Sequence, residues 1–178
     1  MPRLDPRDPL VLDLRELGRR AGSLLEIERT VPAPADLGAG VALVEQGSDL
    51  VLSVRLEAVV EGVLASGTAS VEVSGECARC LDRIQWETAV GFSELYLYEP
   101  GPAEEELPVV DGDRLDLDPA IRDAVVLALP LAPLCRADCP GLCPECGARL
   151  ADDPNHKHDL IDPRWAALAG VDTTKKED

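Results

Sequence analysis

Aromatic side chains, histidines and long apolar runs are all scarce in this chain. Phe, Trp and Tyr make up only 3% of the 178 residues, so Val, Leu and Ala have to fill the hydrophobic core. No apolar run approaches the roughly 20 residues that a membrane-spanning helix needs. The opening MPRLDPRDPL has charges of both signs where a secretory signal has an apolar stretch. We therefore expect a cytoplasmic protein with an aliphatic core.

Positive charge is also scarce, and this limits the partners that the chain can attract. Lys and Arg number 17 against 34 Asp and Glu, for a formal net charge of -17. Affinity for nucleic acid depends on clustered cations that release counterions from phosphate, so extensive RNA binding is disfavoured. A basic partner protein would be attracted instead, mainly beyond residue 30, because the first 30 residues carry six arginines and six acids.

Sequence motifs of the common enzyme classes are absent too. The chain has no G-x-S-x-G motif, no P-loop and no dinucleotide fingerprint, and its acidic residues fall in solvated runs. A cysteine nucleophile needs a histidine partner, and the only two histidines, His156 and His158, lie together beside cysteines. We therefore expect a non-enzyme, and no small-molecule substrate is indicated.

What the chain does contain is a long stretch of alternating apolar and polar residues. The alternation runs through Leu50, Leu52, Val54 and Leu56, and then through Val63, Ala65, Ala69, Val71 and Val73. Turns are predicted at Gly47-Ser48 and Glu61-Gly62, and another strand or two between residues 81 and 100, where most of the aromatics lie. This pattern is typical of an antiparallel meander.

Helical signals flank the alternating stretch. Residues 10–14 predict a short strand and residues 17–25 a helix. After the sheet, Asp118 is expected to cap a second helix, with Pro119 in its first position and Pro130 ending it. We therefore expect an α+β fold that is mainly antiparallel β-sheet, with closure into a barrel as one option and one or two helices beside it.

The soft metal ligands are concentrated in the segment that follows the predicted sheet and helix. Four of the six cysteines and both histidines lie between residues 133 and 159. In a reducing cytosol, clustered cysteines mark metal or redox chemistry more often than disulfides. We therefore divide the chain into an N-terminal strand and helix segment (1–40), a sheet and helix core (41–132), a small zinc-binding segment (133–162) and a partly disordered tail (163–178).

The sequence CPECG, from Cys143 to Gly147, is the most specific local signal. Two thiolates three positions apart in a tight turn can bind one tetrahedral zinc ion, and the glycine permits the left-handed conformation that points backbone amides at sulfur. Two more ligands are needed, and three assignments are open. His156 and His158 complete the site with Cys143 and Cys146; or Cys135 and Cys139 join those two cysteines; or Cys77, Cys80, Cys135 and Cys139 form a second, all-cysteine site.

The candidate ligands also have alternative explanations. Cys143 and Cys146 are compatible with redox or incidental thiols. Cys77 and Cys80 are compatible with small apolar side chains that fill a sheet, or with a redox pair. The two histidines are compatible with solvated surface residues. Local RNA contact would use Arg15, Arg19, Arg20 and Arg79, for which ordinary surface solvation is the alternative. The only cations near CPECG are Arg136, Arg149 and Lys157.

Three segments, VSGECARCL, LDLDPAIRDAVVLALPLAPLC and CPGLCPECGARL, follow one another in this order. Together they resemble the YceD family, a group of bacterial and plastid proteins described as needed for the accumulation of large-subunit ribosomal RNA and long catalogued as a domain of unknown function. The resemblance extends from about residue 10 to residue 160. It implies a role in the synthesis, processing or stability of that RNA, and it identifies no catalytic activity.

The resemblance also implies which residues correspond to the family's cysteines. The family's C-x-R-C falls on Cys77, Arg79 and Cys80, and its C-terminal cysteines fall on Cys135, Cys139, Cys143 and Cys146. Where many relatives end in C-x-C, this chain has His156-Lys157-His158, and imidazole readily replaces thiolate on zinc. The exchange favours the site with two histidines. Because some relatives lack the C-terminal cysteines, the zinc is expected to be structural.

The leading hypothesis is a non-enzymatic cytoplasmic factor for accumulation of large-subunit ribosomal RNA and for ribosome assembly. Its expected partner is a basic ribosomal protein, the large-subunit ribosomal RNA, or both. One zinc ion is expected, with two as the alternative, and metal binding would replace a core that so short a segment cannot build. The competing hypotheses are a zinc-ribbon RNA-binding module and a thiol redox protein that uses the C-x-x-C pairs.

Overall fold

The computed structural model describes residues 4–102, 107–158 and 164, and strands predominate in this part of the chain. The predicted tail, apart from Arg164, lies outside the described residues. No helix in the described ranges is long and apolar enough to cross a membrane. The elements are β1 (Val11–Asp13), β2 (Leu24–Pro32), β3 (Gly38–Ala39), β4 (Ala42–Val44), β5 (Asp49–Ala58), β6 (Gly62–Glu76), β7 (Arg83–Leu97), β8 (Arg114–Asp116) and α1 (Asp118–Ala128).

The main sheet is antiparallel and open. Its four long strands lie in the order β2, β5, β6, β7. The short strand β4 pairs with β6 beyond the end of β5, and β3 pairs with β4. The option of a closed barrel is wrong, because β2 and β7 do not pair with each other. A barrel that just holds side chains takes about eight strands, whereas this sheet has six, two of them only two and three residues long. Strands β1 and β8 form a separate pair.

The core lies on one face of this sheet and is aliphatic, as expected. The predicted alternation is confirmed, since Leu50, Leu52, Val54 and Leu56 are buried while the residues between them face outwards. Helix α1 packs against β7 and contributes Ile121 to the same cluster. The other buried members come from every strand except β3, from α1 and from the connecting loops.

The helix expected over residues 17–25 is absent, and a turn and a strand stand in its place. Gly18 and Gly22 have φ values of 67° and 88°, in the left-handed region, so they interrupt any right-handed helix there. Strand β2 begins at Leu24 and pairs with β5 along nine residues. Leucines spaced along 17–25 fit a helical face, but the alternation of Leu25, Ile27 and Val31 places the second half of the stretch in the sheet.

Helix α1 begins and ends where the two prolines predict. Pro119 lies in its first turn, and Leu129, which precedes Pro130, is extended with φ -68° and ψ 133°. The expected cap at Asp118 is wrong, because Asp118 is already helical and the Asp116 carboxylate accepts its N–H at 2.9 Å. The end of α1 then directs the chain back towards the β6–β7 hairpin.

Candidate metal centres

The C-x-R-C motif forms the tip of the β6–β7 hairpin. Both ends of this tight turn are closed by backbone hydrogen bonds: the Cys77 N–H donates to the Asp82 carbonyl at 2.8 Å, and the Leu81 N–H donates to the Cys77 carbonyl at 2.9 Å. Leu81 has φ 62°, a left-handed conformation that is costly for a leucine. The turn directs the two thiols to one side of the hairpin.

The same turn recurs in CPECG. The Cys143 N–H donates to the Ala148 carbonyl at 2.8 Å, and the Gly147 N–H donates to the Cys143 carbonyl at 2.8 Å. Gly147 has φ 72°, so the left-handed glycine predicted from the sequence is confirmed. Each C-x-x-C pair is therefore one half of a possible tetrahedral site.

The first half-site is completed by the segment that follows α1. Cys135 and Cys139 meet Cys77 and Cys80, and the four sulfur atoms all lie within 4.8 Å of one another. The Sγ atoms of Cys77 and Cys139 are 3.8 Å apart, and those of Cys80 and Cys135 are 3.6 Å apart. Zinc–sulfur bonds of about 2.3 Å in a tetrahedron place sulfurs about 3.8 Å apart, so this four-cysteine site could hold a metal ion.

Hydrogen bonds tie residues 133–139 to the hairpin tip. The Ala78 N–H donates to the Pro133 carbonyl at 2.8 Å, and the Arg79 guanidinium donates to the Cys139 carbonyl at 2.9 Å. Cys77 and Cys139 are buried, Cys80 is half-buried and Cys135 is exposed. Cys77 therefore fits both predictions made for it, because its side chain is buried and its sulfur also belongs to the four-cysteine cluster.

The thiols of the four-cysteine site differ in acidity. Hydrogen bonds from the backbone N–H groups of Cys135 and Cys80 lower the pKa of Cys77 to about 6. At Cys80 a backbone hydrogen bond from Asp82 lowers the pKa, but desolvation and the neighbouring thiols outweigh it and raise the pKa to about 12. The Cys139 side chain and burial raise the pKa of Cys135. Without a metal, Cys77 is therefore the readiest thiolate of the site.

The second half-site is completed by the two histidines. The ligand atoms of Cys143, Cys146, His156 and His158 also lie within 4.8 Å of one another. Each histidine Nε2 is 3.2 Å from the Cys146 Sγ, and the two Nε2 atoms are 2.8 Å apart. Hydrogen bonds from the backbone N–H groups of Cys146 and Glu145 lower the pKa of Cys143 to about 6. This two-cysteine, two-histidine site could likewise hold a metal ion.

A turn brings the two histidines to the same side. Residues in an extended His-x-His segment would point in opposite directions, so a turn was expected at Pro154-Asn155. The structure has one there, closed by a hydrogen bond of 3.1 Å from the His156 N–H to the Asp153 carbonyl. The local geometry therefore agrees with the sequence analysis.

The structure assembles two of the three ligand sets predicted from the sequence and separates the third. Cys135 and Cys139 do not share a cluster with Cys143 and Cys146 in the described part of the chain. All six thiols are free, and the Sγ distances of 3.6 and 3.8 Å exclude the roughly 2.05 Å of a disulfide. Each cluster supplies four protein ligands, which leaves a tetrahedral ion no position for water.

Two contacts between the candidate sites have no signal in the sequence. The Arg149 side chain, from the loop of the second site, forms an ion pair with Asp82, whose carboxylate lies 3.3 Å from the Cys80 sulfur. The Leu142 N–H donates to the Arg79 carbonyl at 3.1 Å. These contacts place the two clusters side by side, and each contact joins residues that are more than sixty positions apart.

Several arginines considered for RNA contact have partners within the chain. Arg79 donates to the Cys139 carbonyl, Arg149 pairs with Asp82, and Arg136 lies 3.3 Å from the Asp138 carboxylate. Arg15 lies 3.7 Å from Asp13. Arg19 donates to the Gly112 carbonyl and stands 5.1 Å from the centre of the Tyr98 ring. These intramolecular contacts leave the five arginines less available for contact with RNA.

The chain is similar to several mycobacterial proteins. An uncharacterized protein of Mycobacterium tuberculosis (strain H37Rv) is 44% identical over 165 residues, which cover 90% of this chain and 80% of that protein. An uncharacterized protein of Mycobacterium leprae is 42% identical over 169 residues, which cover 92% of this chain and 77% of that protein. No solved structure matches the chain.

A protein family matches more than half of the sequence. Residues 65–171 match the family described as Large ribosomal RNA subunit accumulation protein YceD. The matched region contains the C-x-R-C turn, helix α1 and both candidate metal centres. On these grounds the chain belongs to the YceD family, as its cysteine motifs indicated.

Proposed function

We propose that this chain is a non-enzymatic, zinc-binding cytoplasmic factor that supports accumulation of large-subunit ribosomal RNA. The family description names that RNA, and the pair of four-ligand clusters is the observation that supports the mode of action. Cysteine and histidine are the ligands of structural zinc, and clusters that fill all four positions serve folding rather than hydrolysis. The proposal therefore assigns zinc a structural role.

The C-terminal segment supports this role for the metal. In the described residues from 133 to 158 there is no helix, and the only strand pairing is the single bridge between Leu142 and Arg149. A segment with so little secondary structure buries too little apolar area to fold alone, and metal binding then supplies the missing free energy. Zinc at both sites would hold this segment against the hairpin.

The charge of the sheet favours a basic protein partner over RNA. The face opposite the core carries many acids and few cations: Glu26, Glu28, Asp49, Glu57, Glu72, Glu76 and Glu87 against Arg55 and Arg83. Glu72 and Glu87 are both exposed and stand directly opposite each other. Like charges in this position destabilise a sheet, and a cationic partner would relieve the repulsion. A basic ribosomal protein has the complementary charge.

The test of the proposal is a ratio of ribosomal RNAs. In a bacterium deleted for its family member, large-subunit RNA should fall relative to small-subunit RNA, and this chain should restore the ratio. A Glu72→Gln/Glu87→Gln variant should restore it less well than a control with Thr68→Ser on the same face. An unchanged ratio in the deletion strain would contradict the proposed role.

A binding experiment identifies the partner class. Purified chain should bind individual basic ribosomal proteins and show little affinity for ribosomal RNA at low salt. RNA binding with a steep dependence on salt would contradict the proposed partner and support the RNA-binding module instead. Reversible disulfide formation in zinc-loaded protein would support the redox alternative.

A further inference from the structure

We propose that the two metal centres are thermodynamically coupled through the ion pair between Arg149 and Asp82. Metal at either site would raise the affinity of the other site for metal. The inference rests on the proposed metal binding, and it adds that neither site reaches its full affinity alone. Arg149 is, in this view, a positioning residue that acts on a cluster to which it contributes no ligand.

The loop of the second site is built against the loop of the first. Besides the hydrogen bond from Leu142 to the Arg79 carbonyl, Gly141 packs closely on the same residue. A Cβ atom at Gly141 would lie 3.1 Å from the Arg79 carbonyl oxygen and 3.3 Å from its Cβ. Gly141 also has φ 81°, which only glycine adopts at little cost. The close packing of the Gly141 loop on Arg79 therefore depends on the position of the β6–β7 hairpin tip.

The ion pair joins the same two loops at a second point. Asp82 follows Cys80 by two residues, and Arg149 follows Cys146 by three, so each partner is attached directly to a ligand-bearing turn. Arg149 is also hydrogen-bonded to the backbone beside the Cys143 turn. Leu142 and Arg149 form a β-bridge, and the Leu150 N–H donates to the Gly141 carbonyl. Fixing either turn thus restricts the other.

The ion pair gives the coupling its sign. Metal at the four-cysteine site would fix the turn that carries Asp82, whose carboxylate lies 3.3 Å from the Cys80 sulfur. Arg149 then pairs with a carboxylate that is already held in place, so less conformational freedom is lost when the second site binds metal. The ion pair thus helps to hold the loop of the second site in its ligating conformation. By linkage, metal at the second site raises the affinity of the first by the same factor.

The size of the effect follows from the exposure of the pair. The side chains of Arg149 and Asp82 are about half exposed, at 47% and 43%, so solvent and salt screen their attraction. We expect a coupling factor of about fivefold, near the lower end of the range for linked sites. High salt should reduce it towards one.

Zinc affinities of single-site variants test the coupling. Cys80→Ser/Cys135→Ser leaves only the second site, and Cys146→Ser/His156→Ala leaves only the first. Competition with a chromophoric chelator should show that each remaining site binds zinc about fivefold more weakly than the same site in the full chain. Cobalt spectra identify which site is filled, because four thiolates give a stronger charge-transfer band than two.

Variants of Arg149 separate the coupling from the metal sites themselves. Arg149→Met should still bind two zinc ions, with the coupling factor reduced below about twofold, and Arg149→Lys should retain part of it. Arg136→Met is the matched control, because Arg136 is an arginine close to the four-cysteine site that pairs with Asp138 instead. The control should keep the full factor.

The outcomes distinguish the two proposals. Two zinc ions that bind independently in the full chain, or a factor that Arg149→Met leaves unchanged, would overturn the coupling and leave the metal sites standing. A full chain that binds no zinc would overturn the metal sites and the coupling together. A factor lost in Arg149→Met and kept in Arg136→Met supports the coupling.

Discussion

The two C-x-x-C turns share their backbone hydrogen bonds but differ in what supports them. The turn at Cys77 closes a hairpin whose strands pair along fifteen residues, whereas the turn at Cys143 lies in a segment with one isolated bridge. The first turn also tolerates a leucine in the left-handed position, where the second has glycine. A turn held by a sheet can carry local strain, while a turn without that support needs the conformation that costs least.

Removing the metal should reveal the largest difference between the two turns. We expect a chelator to unfold residues 141–158 and to leave strands β5 to β7 folded, because the hydrophobic core contains residues of these strands and none of residues 141–158. Hydrogen exchange should show fast exchange in the C-terminal segment and unchanged protection in the sheet. Protection that survives chelation in residues 141–158, or is lost in β5 to β7, would contradict the prediction. Added zinc should restore the protection.

Counting bound metal ions sharpens the comparison at the level of single sites. Elemental analysis should find about two zinc ions per chain, with one lost in Cys77→Ser and the other in Cys143→Ser. Leu131→Ser, at an exposed position between helix α1 and the cysteines, is the control and should keep both. Zinc lost in Cys143→Ser but fully retained in Cys77→Ser would mean that the four-cysteine site holds no metal.

The affinity of the four-cysteine site should rise with pH. The raised pKa values of Cys80, about 12, and Cys135 mean that both thiols hold protons at neutral pH and must release them to bind metal. Each displaced proton makes affinity rise about tenfold per pH unit, so these two thiols alone should contribute a rise of about a hundredfold per unit from pH 6 to pH 8. Cys77, with a pKa of about 6, adds to the slope only near and below pH 6.

The measurement uses the variant that keeps only this site, Cys146→Ser/His156→Ala, in chelator competition at several pH values. Acid should weaken binding, because protons compete with the metal for sulfur. An affinity that does not change between pH 6 and pH 8 would show that the thiols are already ionised in the free protein.

Substitution of the left-handed residue in each turn should have the smallest effect on stability and zinc affinity. Leu81→Gly should stabilise the protein by about 0.5–1 kcal/mol, since relief of the left-handed leucine exceeds the added flexibility of glycine. Gly147→Ala should make the free energy of zinc binding at the second site less favourable by about 1 kcal/mol. Denaturant unfolding checks the first change. Leu131→Gly is the control and should destabilise the protein, because Leu131 is exposed and does not have a left-handed backbone.

Sequence patterns predicted the elements whose signals are local. The alternation from Leu50 to Leu56 located the buried face of β5, and Pro119 with Pro130 located helix α1, because each signal acts within a few residues. The stretch 17–25 failed because leucine spacing fits two structures and only pairing with β5 selects the strand. Closure of the sheet likewise depends on whether distant edges meet, which no local pattern records.

The candidate metal centres show the same division. The sequence by itself determined which cysteines form pairs, because a C-x-x-C turn closes through its own backbone hydrogen bonds, and it determined the net charge of -17. Only the tertiary structure decided which pairs share a cluster, and that Arg149 meets Asp82. The reason is that Cys139 reaches Cys77 only after the chain has passed through β7 and α1, so their meeting depends on how the sheet and the helix pack.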